Sequence, residues 1–454
     1  MMKPFTARPI GRRLTAALVS ALLALSCLVG TAAGASTIAF GTGTAVSTFG
    51  QEIQFNQPYT GTGIQSASIL IKTPDQYGPA VVALTSLGTG SLVFKMDTSS
   101  GGLYPFDPVT AYFEAVLADG STVDGPPIKV VYADDRFTWK TLAGSVVTLH
   151  YIQAADSFAQ QMVNEADAGV TKAAALFGVS ETGPIDYYVY PSQTAFQQGL
   201  SEPGTIGGVA VPSFRSCFAV VGPTDASYAA EVMPHEVTHV VFADATDNPY
   251  HDPPRWLNEG FADYVAIGYD ATSRQLVSEA ARGGTLPSLL ALTDYFPLDA
   301  SRIYLAYAEA VGAVDFMVRT YGQPAILKLV KAYAGGASDD EAFTAALGVS
   351  VAAFDSAWLA GNGVAAHKYG PQPAATGPLP PGWNGSTAGP TVAPQSTPEN
   401  QPGASGAVSP SGDQAPGRSD DSTALLLAAV IAGLGLVLMG TALALMADQR
   451  RGWR

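Results

Sequence analysis

The sequence predicts a multidomain chain: an all-β domain comes first, an α+β domain follows, and a single transmembrane helix lies near the carboxyl end. Three observations predict this order. Short β-rich runs separated by turn residues fill residues 36–134, helical spacing of apolar residues dominates from about 222 to 360, and an uncharged apolar run covers 423–447. The 454 residues, 47% of them hydrophobic, suffice for two or three domains with cores of their own.

The charge balance argues against a nucleic-acid partner. The formal net charge is −15, and only 13% of the residues are charged. A nucleic-acid-binding chain would need a basic stripe. Low charge density is also typical of an exported protein. The sequence does not indicate the oligomeric state.

Residues 1–35 have the pattern of a signal peptide. Four basic residues form the leader (Lys3, Arg8, Arg12 and Arg13), an apolar run follows, and Ala33-Gly34-Ala35 resembles a cleavage site. The alternative is an uncleaved membrane anchor. Cys27 lies within this segment and could instead carry a lipid, although the residues before it fit a lipoprotein signal poorly. Cleavage would leave Cys217, in an apolar run, as a buried small hydrophobic residue.

Residues 36–134 are predicted to form a small β-sandwich. About seven short strands are separated by turn sequences such as Ala118-Asp119-Gly120 and Gly125-Pro126-Pro127. This density of strands in about 100 residues is typical of an immunoglobulin-like sandwich. Its polar residues form no cluster suited to catalysis, so we expect a spacer or a binding module.

The second domain is predicted over residues 145–369. Residues 146–151 and 185–190 have strand patterns, and residues 154–176 between them have helical spacing. Residues 207–211 and 217–221 are expected to form two strands that meet at a turn. Helical patterns then continue to about residue 360, which gives an α+β domain.

The carboxyl-terminal part is predicted to anchor the chain in a membrane. Residues 370–421, rich in Pro, Gly, Ser and Thr, form a disordered stalk by composition. Residues 423–447 are long enough to span a bilayer, and the tail 448–454 contains three arginines. The positive-inside rule places this tail in the cytoplasm, and hence the domains outside a single-pass type I membrane protein.

His235-Glu236-Val237-Thr238-His239 suggests a metal site. Residues four positions apart share one face of a helix, so both histidines can reach one zinc ion. Glu236 can approach the coordination position that a catalytic zinc site leaves open, where a general base for water belongs. A helix is expected over 228–243, with Pro234 as a kink or as its start. The alternative is a solvated helix with two structural histidines.

A second predicted helix supplies a third ligand. It begins in Pro254-Arg255-Trp256-Leu257-Asn258-Glu259, and Glu259 lies 20 residues after His239, which allows a loop and a returning helix. Two histidines and one carboxylate are the three protein ligands of an open catalytic zinc site. Asp263, four residues further on, could accept the other N–H group of a ligand histidine.

The combination of HEVTH and WLNEGFADY resembles the gluzincin zinc peptidases, in particular their peptidase MA-like branch. The resemblance implies a thermolysin-like fold for the α+β domain. It also implies that His235, His239 and Glu259 bind one Zn²⁺ ion, that Glu236 is the general base, and that Asp263 supports His235.

The resemblance implies two further elements. One is an edge strand for the substrate backbone, for which residues 207–211 are the candidate. The other is a donor to the oxyanion, for which Tyr307 is the first candidate, with Tyr304 and His251 as alternatives. His150 and His367 are interpreted as structural.

The predicted function is therefore a membrane-anchored extracellular zinc peptidase that hydrolyses peptide or protein substrates with Glu236 as general base. No amine-recognition segment of the GAMEN type is evident, which slightly favours an endopeptidase over an aminopeptidase. The alternatives are a catalytically inactive ectodomain on this scaffold and an adhesive surface protein whose β module binds a partner.

Overall fold

The computed structural model describes residues 37–180, 183–200, 207–297 and 299–365, which fold into two compact units. The predicted signal peptide with Cys27, the stalk, the transmembrane helix, the tail and His367 lie outside the described residues. The smaller unit contains residues 79–97, 109–131 and the described residues up to 73. The larger unit contains residues 74–78, 98–108 and the described residues from 132 onward.

The smaller unit is all-β, as the sequence predicts. Its strands are β1 (Thr37–Phe40), β2 (Thr44–Thr48), β3 (Glu52–Thr62), β4 (Ile64–Lys72), β5 (Ala80–Ala83), β6 (Ser91–Asp97), β7 (Pro108–Leu117), β8 (Thr122–Asp124) and β9 (Ile128–Val131). One sheet has the order β1-β3-β2, with β6 also on β3. The other has the order β5-β4-β7-β8, with β9 also on β7.

Alternating burial in these strands explains why the unit forms sheets with one apolar face. In β7, Val109, Ala111, Phe113, Ala115 and Leu117 are buried, while the residues between them are less covered. Successive side chains of a strand point to opposite faces, so this alternation places one face on the core. The immunoglobulin-like assignment of the unit stays a prediction.

The larger unit contains a five-stranded mixed sheet. Its strands are β10 (Lys140–Ala143), β11 (Val147–Tyr151), β12 (Ile185–Tyr190), β13 (Gly208–Val211) and β14 (Ser216–Val220), in the order β10-β11-β12-β14-β13. The three central strands are parallel, and both outer strands run antiparallel to their neighbours. As predicted, β13 and β14 meet at a turn, and β13 is left at the edge.

Nine α-helices are described in this unit. They are α1 (Asp156–Phe177), α2 (Gln193–Leu200), α3 (Ala226–Thr246), α4 (Arg255–Ala266), α5 (Ala271–Gly283), α6 (Ala300–Tyr321), α7 (Gln323–Ala334), α8 (Asp339–Leu347) and α9 (Val351–Gly361). One core cluster joins α1, α3, α4 and the later helices to one face of the sheet. A smaller aromatic cluster with Tyr188, Tyr190, Phe196 and Phe218 includes α2 and residues of β12 and β14.

Helix α3 is held close to α1 at Gly169. A Cβ atom at this position would lie 2.6 Å from Cα of Pro234, a distance that side chains do not reach in folded proteins. Pro234 lies inside α3, so the helix begins eight residues earlier and not at the proline. Helix α3 is therefore longer at its amino end than the predicted helix over 228–243, and its proline segment packs directly against α1.

Among the described helices, no single one has both the length and the apolar character needed to cross a membrane. Within the described part of the chain, α8 and α9 together have this length and apolar character, but the pair is bent by 65°. The predicted span 423–447 lies outside the described residues and is not tested by this result.

Candidate metal centre

Helix α3 brings His235 and His239 together on one face. Their Nε2 atoms lie 3.1 Å apart, and the two rings meet edge to face with centroids 4.8 Å apart. This is the contact expected for positions i and i+4, which are neighbours on the surface of a helix.

Helix α4 returns along α3 and adds Glu259 to the same point. Its Oε2 atom lies 3.5 Å from Nε2 of His235 and 3.6 Å from Nε2 of His239. These three residues are the group of potential metal ligands found among the described parts of the chain. The structure therefore brings together the three residues that the sequence predicts as ligands, although they come from two helices separated by a loop.

Both histidines are oriented by residues of α4. Nδ1 of His235 lies 2.8 Å from Oδ1 of Asp263, and Nδ1 of His239 lies 2.9 Å from Oδ1 of Asn258. Carboxylate and amide oxygens accept hydrogen bonds, so each Nδ1 carries the proton and donates it. The Nε2 atoms of both rings then face each other and Glu259, where a bound metal ion would take their lone pairs.

This donor set fits a zinc ion. Two imidazole nitrogens and a carboxylate oxygen face one another at 3.1–3.6 Å, and a metal ion bound between them would stabilise this grouping. Bonds of about 2.0–2.1 Å in a tetrahedral site imply donor separations of about 3.3 Å. Two nitrogens and one oxygen match the borderline-soft character of Zn²⁺, whereas Mg²⁺ and Ca²⁺ prefer oxygen ligands.

The buried charges of the site influence one another strongly. Burial opposes the ionisation of Glu259, but its contacts with His235 and His239 and the charge of Arg255 lower its pKa to about 2. Burial disfavours the charged form of His235, yet Asp263 and Glu259 raise its pKa well above the ordinary value. The pKa of His239 is lowered, mainly by burial. Glu259 thus stays ionised as an anionic ligand requires.

Glu236 is placed beside the metal ligands and against the sheet edge. It is 5% exposed, and burial raises its pKa to about 7; the carboxylates of Glu259 and Asp263 act in the same direction and His235 opposes them. A Cβ atom at position 208 would lie 2.3 Å from Oε1 of Glu236. A side chain at position 208 would therefore require this carboxylate or the strand to shift.

The predicted edge strand is β13, which lies next to this carboxylate. It pairs with β14 on one side, in the register Gly208 to Ala219 and Val211 to Ser216. Its position at the end of the strand order leaves its other side available within the described sheet. A peptide in extended conformation can add to such an edge through backbone hydrogen bonds.

The three candidate donors lie in different surroundings. The ring of Tyr307 lies 6.4 Å from that of His235 between centroids, and burial and the charge of Glu259 raise its pKa, so its hydroxyl stays protonated. Tyr304, one turn earlier on α6, is 49% exposed. After burial and nearby carboxylates, it is a minor cause of the raised pKa of Tyr228. His251 instead packs 6.2 Å from the ring of Tyr333, near Asp339.

Sequence reasoning missed two residues of the site. Asn258 orients His239, and Arg255 places Nη2 3.3 Å from Oε1 of Glu259, leaving Oε2 to face the histidines. Both belong to α4, and Arg255 lies one helical turn before Glu259. Helical spacing from a predicted ligand could have identified Arg255, whereas Asn258 follows only from how the two helices cross.

His150, interpreted as structural, lies in the sheet. Its Nε2 atom is 2.7 Å from Oδ1 of Asp186, and its ring stacks on Tyr188 with centroids 4.4 Å apart. Cys217 is free and buried in β14, as the sequence predicts.

The donor set, the buried carboxylate and the adjacent strand edge define the class of a zinc metallopeptidase. Residues 165–361 match the family model described as the Peptidase MA superfamily. These residues form a domain of the gluzincin, peptidase MA-like family, and its cofactor is zinc. No curated protein sequence matches the chain.

Several solved structures are similar to the chain. An aminopeptidase N family protein from Idiomarina loihiensis is 11% identical, over 63% of this chain and 67% of that one, with a TM-score of 0.34. An M1 zinc metallopeptidase from Deinococcus radiodurans is 12% identical, over 75% and 97%, with a TM-score of 0.32. Both TM-scores are below 0.5, and the family assignment rests on the sequence match and the donor set.

Proposed function

We propose that the chain hydrolyses peptide bonds, with His235, His239 and Glu259 as the zinc ligands and Glu236 as the general base. The observation that carries this proposal is the convergence of two imidazole nitrogens and one carboxylate oxygen beside Glu236, a buried carboxylate whose pKa burial raises to about 7. A general base is most effective when its pKa lies near the working pH.

Each chain residue has a distinct task in this mechanism. A bound zinc ion would supply Lewis-acid polarisation of water and of the scissile carbonyl. Oε1 of Glu236 accepts a proton from the attacking water and returns it to the leaving amine. The hydroxyl of Tyr307 donates a hydrogen bond to the oxygen that becomes negative. The edge of β13 holds the substrate backbone extended beside Glu236.

Glu236→Gln in the full-length chain tests this function. The variant keeps the shape of the side chain and should retain one zinc per chain, measured by elemental analysis, while cleavage of a fluorogenic peptide mixture falls at least about 100-fold. A wild-type protein that binds zinc but cleaves no peptide would support the inactive or adhesive alternative.

The ligand set has its own test. Glu259→Ala should abolish stoichiometric zinc binding, because it removes one of three protein donors. Glu341→Ala is a matched control, since this glutamate lies in the capping box of α8. Zinc retained in Glu259→Ala at wild-type affinity would exclude Glu259 as a ligand.

The preference for an endopeptidase gains no support from the comparisons, because one similar structure is named as an aminopeptidase N family protein. Acetylation of the substrate separates the two activities. An endopeptidase cleaves acetylated and free peptides at the same internal bond, whereas an aminopeptidase requires the free amino terminus.

We also propose that the peptidase domain is extracellular and anchored by residues 423–447, with the tail 448–454 in the cytoplasm. The support is the sequence alone: the signal-like residues 1–35 and the basic tail after an uncharged apolar run. External protease added to intact cells should degrade the peptidase domain and spare an epitope on the tail.

A further inference from the structure

Strand β5, at the edge of a sheet of the smaller unit, is uncovered on both faces. All four of its residues, Ala80-Val81-Val82-Ala83, are exposed, with Val81 at 63% and Val82 at 37%. The strand pairs with β4 on one side, and no described strand pairs with its other side. An edge strand of this kind presents unpaired backbone groups to which another strand can add.

The pairing with β4 determines which backbone groups of β5 remain unpaired. The amide of Leu84, directly after β5, donates to the carbonyl of Ala67 of β4 at 2.9 Å. In an antiparallel pair, every second residue turns both its N–H and its C=O toward the neighbouring strand. Val82, two residues before Leu84, therefore also faces β4. Val81 and Ala83 direct their N–H and C=O groups outward, away from the sheet.

The edge lacks the charges that keep exposed strands apart. Residues 76–94, which contain all of β5, include no Asp, Glu, Lys, Arg or His. Charged side chains, especially Lys, are the usual protection of an edge that stays unpaired. The whole chain has a net charge of −15, so two copies repel each other, but this stretch adds nothing to that repulsion.

Two copies of β5 are complementary about a two-fold axis at Val82. Antiparallel pairing about this residue sets Val81 opposite Ala83 of the second copy, and Ala83 opposite Val81 of the second copy. The outward N–H and C=O groups of both strands are then all used, in backbone hydrogen bonds. An axis at Val81 would instead set Ala83 opposite Pro79, which has no N–H to donate.

The same pairing extends the apolar face of the sheet. Val82 lies directly opposite Ile69, which is fully buried, so the two side chains share the core-facing side. At the axis, Val82 meets Val82 of the second copy with about 4.5 Å between Cα atoms, the spacing of a non-hydrogen-bonded pair. One apolar row then crosses the interface from Ile69 to Ile69, and the exposed part of both valines leaves water.

We propose that the smaller unit binds a second copy of this chain, through antiparallel pairing of β5 with β5 about a two-fold axis at Val82. The occupant is a second copy because the outward backbone groups, the uncharged sequence and the apolar row all complement themselves. Both copies use the same surface, so the assembly closes at two. Four-residue strands bury little area, and we expect a weak dimer that depends on concentration.

A cysteine at the axis tests the register in the full-length chain. Val82→Cys sets two thiols opposite each other, at a Cα separation within the range of about 4.4–6.8 Å that a disulfide spans. Ala80→Cys is the matched control, because it lies on the same face but roughly 13 Å along the strand from its equivalent in the second copy. The two native cysteines are present in both variants. After mild oxidation, the disulfide-linked dimer on a non-reducing gel should be at least about tenfold more abundant in Val82→Cys.

Sedimentation of the full-length chain in detergent, under reducing conditions, tests the association itself. Between about 1 and 200 µM, the protein mass per particle of the wild type should rise toward twice that of the monomer. Val81→Lys places a charge on the edge and should keep the chain monomeric. Val46→Lys, at a valine of β2 that is 66% exposed, makes the same change in the other sheet and should behave as the wild type.

The two experiments leave the proposal open to refutation at each step. A wild type that stays monomeric throughout this range, or equal cross-linking of the two cysteine variants, would overturn it. A dimer that persists in Val81→Lys while Val82→Cys forms no disulfide would locate the interface elsewhere, with the same consequence. If Val81→Lys does not fold, the cysteine pair decides alone, because both of those substitutions are small and lie at exposed positions.

Discussion

The amide oxygen Oδ1 of Asn258 lies 2.9 Å from Nδ1 of His239, while the next residue, Glu259, directs Oε2 to the Nε2 side of the same ring. Two consecutive residues of α4 thus act on both nitrogens of one histidine of α3. The first fixes the tautomer and the second completes the donor set. Supports of this kind keep an imidazole aligned with its metal.

Loss of this support should weaken zinc binding. Asn258→Ala removes the acceptor for Nδ1 of His239, and we expect zinc affinity to fall about 10- to 100-fold, measured by competition with a fluorescent chelator. Asn362→Ala is the control, because this asparagine only donates to the carbonyl of Trp358 at the end of α9. Equal zinc affinities in both variants would contradict the role of Asn258.

Tyr307 should act in catalysis and not in zinc binding. Tyr307→Phe removes only the hydroxyl, so zinc content should be unchanged while kcat falls about 100-fold, the usual effect of losing one oxyanion donor. Tyr304→Phe, on the same helix and half exposed, should change kcat less than threefold. A larger loss in Tyr304→Phe than in Tyr307→Phe would reassign the donor.

The contact between Gly208 and Glu236 makes another prediction. In Gly208→Ala the new methyl group would lie 2.3 Å from Oε1 of Glu236, so the carboxylate or β13 must move. We expect kcat/KM to fall at least about tenfold, because a displacement near 1 Å in a catalytic site is costly. Gly361→Ala, where a Cβ atom meets no neighbour within 4 Å, should retain full activity.

The larger unit should lose stability as the pH rises, because of Asp107. Its side chain is 4% exposed, and burial, followed by the charge of Asp75, raises its pKa from 3.8 to about 7. A carboxyl whose pKa is raised on folding favours the folded state while protonated. Its contribution is therefore present at low pH and is lost as the pH rises from about 4 to 7.

Asp107→Asn removes this titration. We expect the free energy of unfolding of the variant minus that of wild type to be about 1–3 kcal/mol larger at pH 8 than at pH 5, after allowance for solvent screening, so that the variant is the more stable of the two by that extra amount at pH 8. Urea titrations at both pH values measure it. Asp119→Asn is the control: hydrogen bonds from Ser121 lower the pKa of Asp119, so its removal should bring no gain at pH 8. A pH-independent difference for Asp107→Asn would refute the raised pKa.

The sequence predicts most of the metal centre because its spacing is helical. The pair His235 and His239 requires only a helix, and Glu259 requires only a second helix that returns. The sequence predicts strand β12 over the same residues that the structure shows, and five of its six residues are buried. These features depend on local periodicity, which a single sequence contains.

Features that depend on how helices cross were not predicted. Pro234 suggests a break because it lacks an amide donor, but α3 continues through it, and this segment packs against Gly169 of α1. The roles of Asn258 and Arg255 depend on the rotation of α4 about its axis. None of these relations has a spacing that the sequence alone reveals.

The connection between α3 and α4, residues 247–254, is short. Both helices place donor atoms around the position of one metal ion. A bound zinc ion would thus cross-link two consecutive helices, in the way that a disulfide closes a loop. Since the ion binds the folded arrangement and not the open chain, free zinc concentration sets part of the domain's resistance to unfolding, by RT ln(1 + [Zn]/Kd). A peptidase of this design would become susceptible to degradation wherever zinc is scarce, so its lifetime as well as its activity would follow the metal supply.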